Sequence, residues 1–154
     1  MQRRYGFNQQ PFRIIKFRTM RTLDDGPVIR RARQNDPRLT GIGRWLRRWN
    51  IDEVPQLFNV LTGDMSLVGP RPHALSHDRE YEQRFSRYAR RHNVRPGITG
   101  WAQIHGYRGE TDTEEKMRKR VEYDLYYIDN WSLWLDFKIM VRTVLSRSAY
   151  RNAY

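Results

Sequence analysis

The chain contains no cysteine, which excludes disulfides, thiolate zinc sites and a thiol nucleophile from its chemistry. Lysine is almost as scarce: of 29 basic residues only four are lysines, Lys16, Lys116, Lys119 and Lys138. Long apolar runs are missing too. No stretch approaches the roughly 20 apolar residues of a membrane span, and the charged N-terminal residues lack the apolar core of a signal peptide. What is present in their place is arginine, 25 residues in a chain of 154 with a net charge of +12. A guanidinium grips phosphate or carboxylate with two parallel donors where an ammonium is a point charge, so the composition points to phosphate-bearing partners: nucleic acid, anionic lipid or a nucleotide-linked substrate. Five Trp, nine Tyr and six Phe are a heavy aromatic load for so polar a chain. Either the core is aromatic or part of the surface meets something apolar.

The charge is uneven. Residues 1–50 carry 13 basic and three acidic side chains, whereas residues 51–72 carry one basic and three acidic. Two of those acids, Asp52 and Glu53, are adjacent and open the segment DEVPQLFNVLTGDMSLVGPRP directly after the most basic stretch.

Hydrophobic spacing outlines an α+β chain, mainly helical and a single domain over residues 1–154, with a small β element and amphipathic interfacial helices. PFRIIKFRTM (11–20) alternates as a strand, and residues 24–38 form a polar loop punctuated by Gly26, Pro27 and Pro37. Ile42, Trp45, Leu46 and Trp49 fall on one helical face, and Val54, Leu57, Phe58 and Leu61 repeat the spacing to give a helix over 53–61. Asp52 is its expected N-cap, Pro55 lies in its first turn and Gly63 stops it. Further helices are expected from Ser76 to His92, from a capping box of Thr111 and Glu114 with Met117, Val121, Leu125 and Ile128 inside, and over residues 130–147. Residues 94–106 read as loop and short strand.

Asp52 and Glu53 admit two readings that are compatible. As helix caps they would sit at the positive end of a dipole, which favours the ionised carboxylate and suits an anionic nucleophile or metal ligand. Neighbouring helical residues diverge by about 100°, so the pair would divide the work, not share one proton.

The motifs KFRTM, DEVPQLFNVLTGDMSLVGPRP, VRPGITGWAQIHGYRGETDT and EYDLYYIDNWSLWLDFKI together resemble the bacterial sugar transferase family, monotopic phosphoglycosyltransferases acting on undecaprenyl phosphate. GETDT, the PHA after GPRP and the closing NAY most resemble the branch that starts exopolysaccharides by moving glucose 1-phosphate. The resemblance implies that Asp52 attacks the sugar-linked phosphate of a UDP-sugar and expels UMP, that Glu53 works with Mg²⁺, and that the polyprenyl phosphate then discharges the intermediate. It implies Lys16, Arg47, Arg71 and Arg108 as the phosphate cradle. Arg71 is held between Pro70 and Pro72, which restrict its backbone. Some relatives carry the arginine directly after the glycine corresponding to Gly106, where this chain has Tyr107. Implied partners are UDP-glucose or UDP-galactose, polyprenyl phosphate and the cytoplasmic face of the bacterial inner membrane, with no specific nucleic acid; a homodimer is left open.

Family members normally begin with a re-entrant membrane helix, so the chain is expected to be the catalytic domain alone, as a fragment or shortened product. Trp45 and Trp49 among Arg44, Arg47 and Arg48, and Trp131 and Trp134 with Lys138 and Arg142, have the composition of helices lying in a bilayer interface. Asp64 reads equally as a metal-site member or a turn cap. His73 and His77, four apart, lack a zinc motif around them. The rival reading is a basic nucleic-acid- or membrane-binding module without catalytic activity, which explains the charge but not the acidic pair.

Overall fold

In the computed structural model, which describes residues 2–21, 36–109 and 113–145, the chain opens with a short hairpin whose second strand ends early because the backbone beyond it is needed elsewhere. Strands β1 (Gln2–Tyr5) and β2 (Pro11–Ile14) form an antiparallel hairpin that pairs Gln2 with Ile14 and Tyr5 with Pro11. The expected strand over 11–20 stops at Ile14. Past it, the Ile15 N–H donates to the Asn59 side chain (2.9 Å) and the Phe17 N–H to the Asp52 carbonyl (3.0 Å). With no ladder to enforce alternation, Phe12 and Ile14 are buried but Phe17 is exposed. Of the loop expected over 24–38, most lies outside the described residues, as do Thr111 and the closing NAY.

Helix α1 (Gly41–Arg48) is capped by the Thr40 hydroxyl, which accepts from the Gly43 N–H. Gly43 presses against Thr19, where a Cβ would lie 2.1 Å from the carbonyl oxygen. Helix α2 is shorter than expected, Gln56–Leu61, and its N-cap is Pro55 with no side-chain cap. Asp52 instead lies within a 3₁₀ turn, Ile51–Glu53, entered through Asn50 in the left-handed region (φ 56°). Gly63 (φ +82°) ends α2 as anticipated.

Strands β3 (Ser66–Val68) and β4 (Gly97–Thr99) are parallel, a pairing that requires a long crossover. Residues between them supply it as helix α3 (Leu75–Arg84) and a 3₁₀ segment, Tyr88–Asn93. The sequence suggests one helix from 76 to 92, but Phe85 adopts extended angles (φ −122°, ψ 107°) and splits it. After β4 come a short helix α4 (Trp101–Ile104), α5 (Glu114–Asp129) and α6 (Leu133–Leu145). Thr113 caps α5 by accepting from the Lys116 N–H.

The expected inner face of α5 is borne out: Met117, Val121 and Leu125 pack with Tyr81 and Tyr88 in one cluster, with Ile128 against it. A second cluster joins Val68, Ile104, Tyr127 and Ile139, and a third joins Phe12, Ile14 and Met65. The other three amphipathic helices are different. The apolar faces of α1, α2 and α6 point outward: Ile42 is 75% exposed, Leu61 82% and Leu133 79%, and Trp45, Trp49, Phe58, Trp134 and Phe137 are exposed as well. On α2 the buried side chains are the polar ones, Gln56 and Asn59.

The parallel pair tolerates no added atoms at its centre. A Cβ on Gly97 would lie 2.1 Å from the Gly69 nitrogen and 2.5 Å from the Thr99 oxygen, both backbone. Gly97→Ala is therefore expected to lower stability by about 3 kcal/mol, the upper range for overpacking. Gly41→Ala, where nothing lies within 4 Å of the new methyl, should leave the unfolding free energy equal or raised by about 0.5 kcal/mol. Urea unfolding of both variants checks the contrast.

Candidate active site

The six residues singled out from the sequence converge from five separate stretches of chain. Glu53 is the anchor. Arg71 Nη1 donates to its Oε2 (3.0 Å), Arg71 Nη2 donates to Oε1, and Arg108 Nη2 donates to Oε2 (2.9 Å). Burial alone would push this carboxyl up, but the Arg71 and Arg108 guanidiniums, with Lys16 behind them, outweigh it and hold the pKa at about 2. Arg108 is thus brought into the site despite the intervening Tyr107.

Asp52 is differently placed. It is 8% exposed, and no hydrogen bond or ion pair reaches its carboxylate among the described residues. Burial, then the Glu53 charge beside it, raises its pKa, while Arg47, Lys16 and Arg71 pull it back. The helix-dipole argument predicts a lowered value and is corrected here. Asp52 is in a 3₁₀ turn, three positions before the Pro55 cap of α2, so no aligned dipole faces it.

The cations are oriented by backbone and side-chain contacts. Arg47, in the last turn of α1, donates from Nε to the Thr19 hydroxyl (2.9 Å) and lies in the field of Asp52 and Glu53. Lys16 follows the break in β2. Burial, then the positive charges of Arg4 and Arg47, lower its pKa to about 8 against the pull of Glu53. Arg71 leaves β3 on the Pro70-Arg71-Pro72 loop, fixed by the Gly97 N–H donating to the Pro70 carbonyl (3.0 Å).

Asp64 takes the turn role of its two readings: it accepts from the Thr62 hydroxyl (3.0 Å) and the Asn59 amide (3.3 Å) at the end of α2. His73 belongs to a buried cluster with Tyr88 and Arg91. Among the described residues, no three His, Asp or Glu side chains group to hold a metal by themselves. The donor set still fits Mg²⁺, which binds through one or two carboxylates and completes its shell with water and substrate phosphates. Asp52 has no donor on its oxygens, and Glu53 spends three hydrogen bonds of about four acceptor sites.

Three supporting residues escape the sequence reading: Thr19, which aims Arg47; Arg91, which accounts for the Arg71 carbonyl (2.8 Å); and Asn59. The Asn59 amide donates to the Arg13 carbonyl (2.9 Å) while its oxygen takes the Ile15 N–H. Gln56 and Asn59, polar residues three apart on an otherwise apolar helix, were the one available signal.

A sequence model described as "Bacterial sugar transferase" matches residues 1–149. The UDP-glucose:undecaprenyl-phosphate glucose-1-phosphate transferase of Escherichia coli (strain K12) is 54% identical over 99% of this chain and 33% of its own length. The protein of that name from Caulobacter vibrioides is also 54% identical, over 99% of this chain and 57% of its own. A UDP-N-acetylgalactosamine-undecaprenyl-phosphate N-acetylgalactosaminephosphotransferase of Aeromonas hydrophila is 44% identical over 94% of this chain and 34% of its own. The chain thus spans about a third to just over half of these relatives.

The Glu53 anchor has a pH signature. Its folded pKa, about 2, lies below the ordinary 4.5, so its contribution to stability is complete above pH 4.5 and is lost as pH falls through 2. Two and a half units correspond to about 3 kcal/mol. Carboxyl-carbon NMR is expected to find Glu53 titrating near 2, and in Arg71→Gln near its ordinary value.

Proposed function

The chain belongs to the bacterial sugar transferase family, and from that premise we propose that it moves a hexose 1-phosphate from UDP-glucose or UDP-galactose to a polyprenyl phosphate through a covalent intermediate on Asp52, the first step in assembling an exopolysaccharide or lipopolysaccharide repeat unit. The observation that carries this reading is the inequality of two adjacent carboxylates. Glu53 is tied by two arginines, while the carboxylate of Asp52, amid Arg47, Lys16 and Arg71, makes no hydrogen bond among the described residues. A carboxylate held by donors is a poor nucleophile; one desolvated and flanked by cations is a good one.

In the first displacement an Asp52 oxygen bonds to the sugar-linked phosphorus. The bond from that phosphorus to the bridging oxygen of UMP breaks, and UMP departs with the electron pair. No proton need move. In the second displacement a lipid-phosphate oxygen attacks the same phosphorus and releases Asp52 as carboxylate. Both steps bring anion to anion, so the phosphate oxygens must be neutralised before bonding begins. Arg47 and Lys16 supply charge on the Asp52 side, Arg71 and Arg108 on the Glu53 side. Mg²⁺, held by Asp52 or Glu53 with the substrate phosphates, would add charge neutralisation of the same kind. Because covalent catalysis divides the transfer, one cradle serves both substrates in turn.

The outward apolar faces support a membrane-apposed setting. Trp45 and Trp49 with Arg44 and Arg48 at α1, and Trp134, Phe137 and Val141 with Lys138 and Arg142 on α6, are exposed aromatic and aliphatic residues interleaved with basic ones, and Leu57, Phe58 and Leu61 add an exposed apolar face on α2. That is the pattern of helices lying in a headgroup layer, each basic residue adding about 1 kcal/mol on anionic lipid. Asp52 sits between α1 and α2, so a polyprenyl phosphate would reach it without leaving the interface. No helix among the described residues is long and apolar enough to cross a membrane.

Incubation with Mg²⁺ and UDP-glucose is expected to release UMP and leave a phosphohexose adduct in the intact mass, mapped to Asp52; Asp52→Asn should lose both by at least about a thousandfold. Undiminished UMP release in that variant would remove Asp52 as nucleophile. The pH profile is the second check. Lys16 loses its proton near pH 8, so kcat/KM in the free enzyme should fall above 8, and Lys16→Arg, always charged, should abolish that alkaline limb.

A further inference from the structure

We propose that Arg91 is a positioning residue for the phosphate cradle and that it acts through Arg71; the inference rests on the cradle reading above. Arg71 has two ends. Its guanidinium forks onto Glu53, and its main-chain carbonyl, on the loop between two prolines, takes its donor from elsewhere in the fold. Arg91 Nη2 is that donor, at 2.8 Å.

Arg91 is 4% exposed, and the rest of its fork is also engaged. Nε donates to Asp124 Oδ2 on α5 (2.8 Å), and Nη1 donates to the Tyr88 hydroxyl (2.8 Å). Tyr88 in turn donates to Asp78 Oδ1 on α3 (2.5 Å), and His73 Nδ1 lies 3.2 Å from Arg91 Nη1. One planar group therefore ties α5, α3, the Tyr88–Asn93 segment and the Pro70-Arg71-Pro72 loop together, and makes no hydrogen bond to Asp52 or Glu53. The prolines fix the local shape of the loop. They do not fix where the loop stands, and a displacement of about 1 Å in a positioning group costs on the order of a hundredfold in rate. Arg91 sets that stand-off from the side of the domain core.

A guanidinium that merely fills the core makes a different prediction. Lysine at 91 would keep the charge and most of the length but could not reach three acceptors in three directions. Asp124→Asn is a poor probe, because Asp124 also offsets the charge of buried Arg120. Tyr88→Phe is better: it removes one of Arg91's acceptors at constant shape.

The test is a double-mutant cycle on the 154-residue chain, read twice: UDP affinity by titration calorimetry, and UMP release from UDP-glucose. Arg91→Gln is expected to weaken UDP binding about tenfold and to lower kcat for UMP release about ten- to a hundredfold in the wild-type background. In the Arg71→Ala background it should change either by less than about twofold, because the group it positions is gone. Arg91→Lys should behave as Arg91→Gln. Equal losses in both backgrounds, or full rescue by lysine, would overturn the inference. Should Arg91→Gln fail to give a cooperative melt, Tyr88→Phe runs the same cycle with an expected loss of about three- to fivefold confined to the Arg71 background, and an equal loss in both backgrounds overturns it. UDP binding without UMP release or adduct would sink the proposed transfer alone and leave the cycle readable on affinity. Failure to bind UDP, or indifference of binding to Arg71→Ala, would sink the cradle and this inference with it.

Discussion

The fork of Arg71 on Glu53 is the interaction from which the rest of the site takes its form. A glutamate so buried would ordinarily surrender its charge; two guanidiniums prevent it, and their presence fixes Glu53 as a permanent anion. That anion then acts on its neighbours. It helps keep the Asp52 pKa up, it draws Arg108 across from the segment after α4, and it steadies the charge of Lys16. Two consecutive carboxylates thereby acquire different characters without any difference in chemical type. One is clasped and structural to the cradle; the other is desolvated and without a donor.

Holding such a centre shapes the fold around it. The main chain of residues 15–19 belongs to no strand because it is consumed by the site: Ile15 is held by Asn59, Phe17 by the Asp52 carbonyl, and Thr19 receives both Thr40 and Arg47. Helix α2 buries its polar side for the same reason, since Asn59 must face inward to hold that segment, and its apolar side is turned out. The inverted helix is thus a consequence of the geometry around the two carboxylates.

Legibility from sequence divided along the same line. Motifs of long, fixed order made Asp52, Glu53 and the four cations readable, and the α5 stripe of Met117, Val121 and Leu125 was readable from spacing because a single face packs into a core. Spacing failed where tertiary contacts outrank local preference. The strand at 11–20 breaks because hydrogen bonds leave it for residues 44 and 35 positions away. The 76–92 helix breaks at Phe85, although its Tyr81 and Tyr88 reach the same cluster across the interruption. Arg91 was one arginine among four between residues 84 and 91, and nothing in a string of letters separates a buried fork from a solvated side chain.

The shortage of lysine acquires a physical meaning in this setting. Burial lowers the pKa of every cation in the cradle that is not fully committed to Glu53: Lys16, Arg47 and Arg108 are all shifted down. An ammonium starts near 10.4 and a guanidinium above 12, so a comparable desolvation discharges the first near neutrality and leaves the second charged. Lysines at this depth would hold their charge less firmly than guanidiniums do and would make weaker partners for Glu53. Arginine at three of the four positions secures the anchor over the whole physiological range. The single lysine, lowered to about 8, is the one member whose charge would respond to a neighbouring anion, which raises the pKa of a buried ammonium. The arginine excess visible in the composition is, at this site, the condition for keeping buried carboxylates charged.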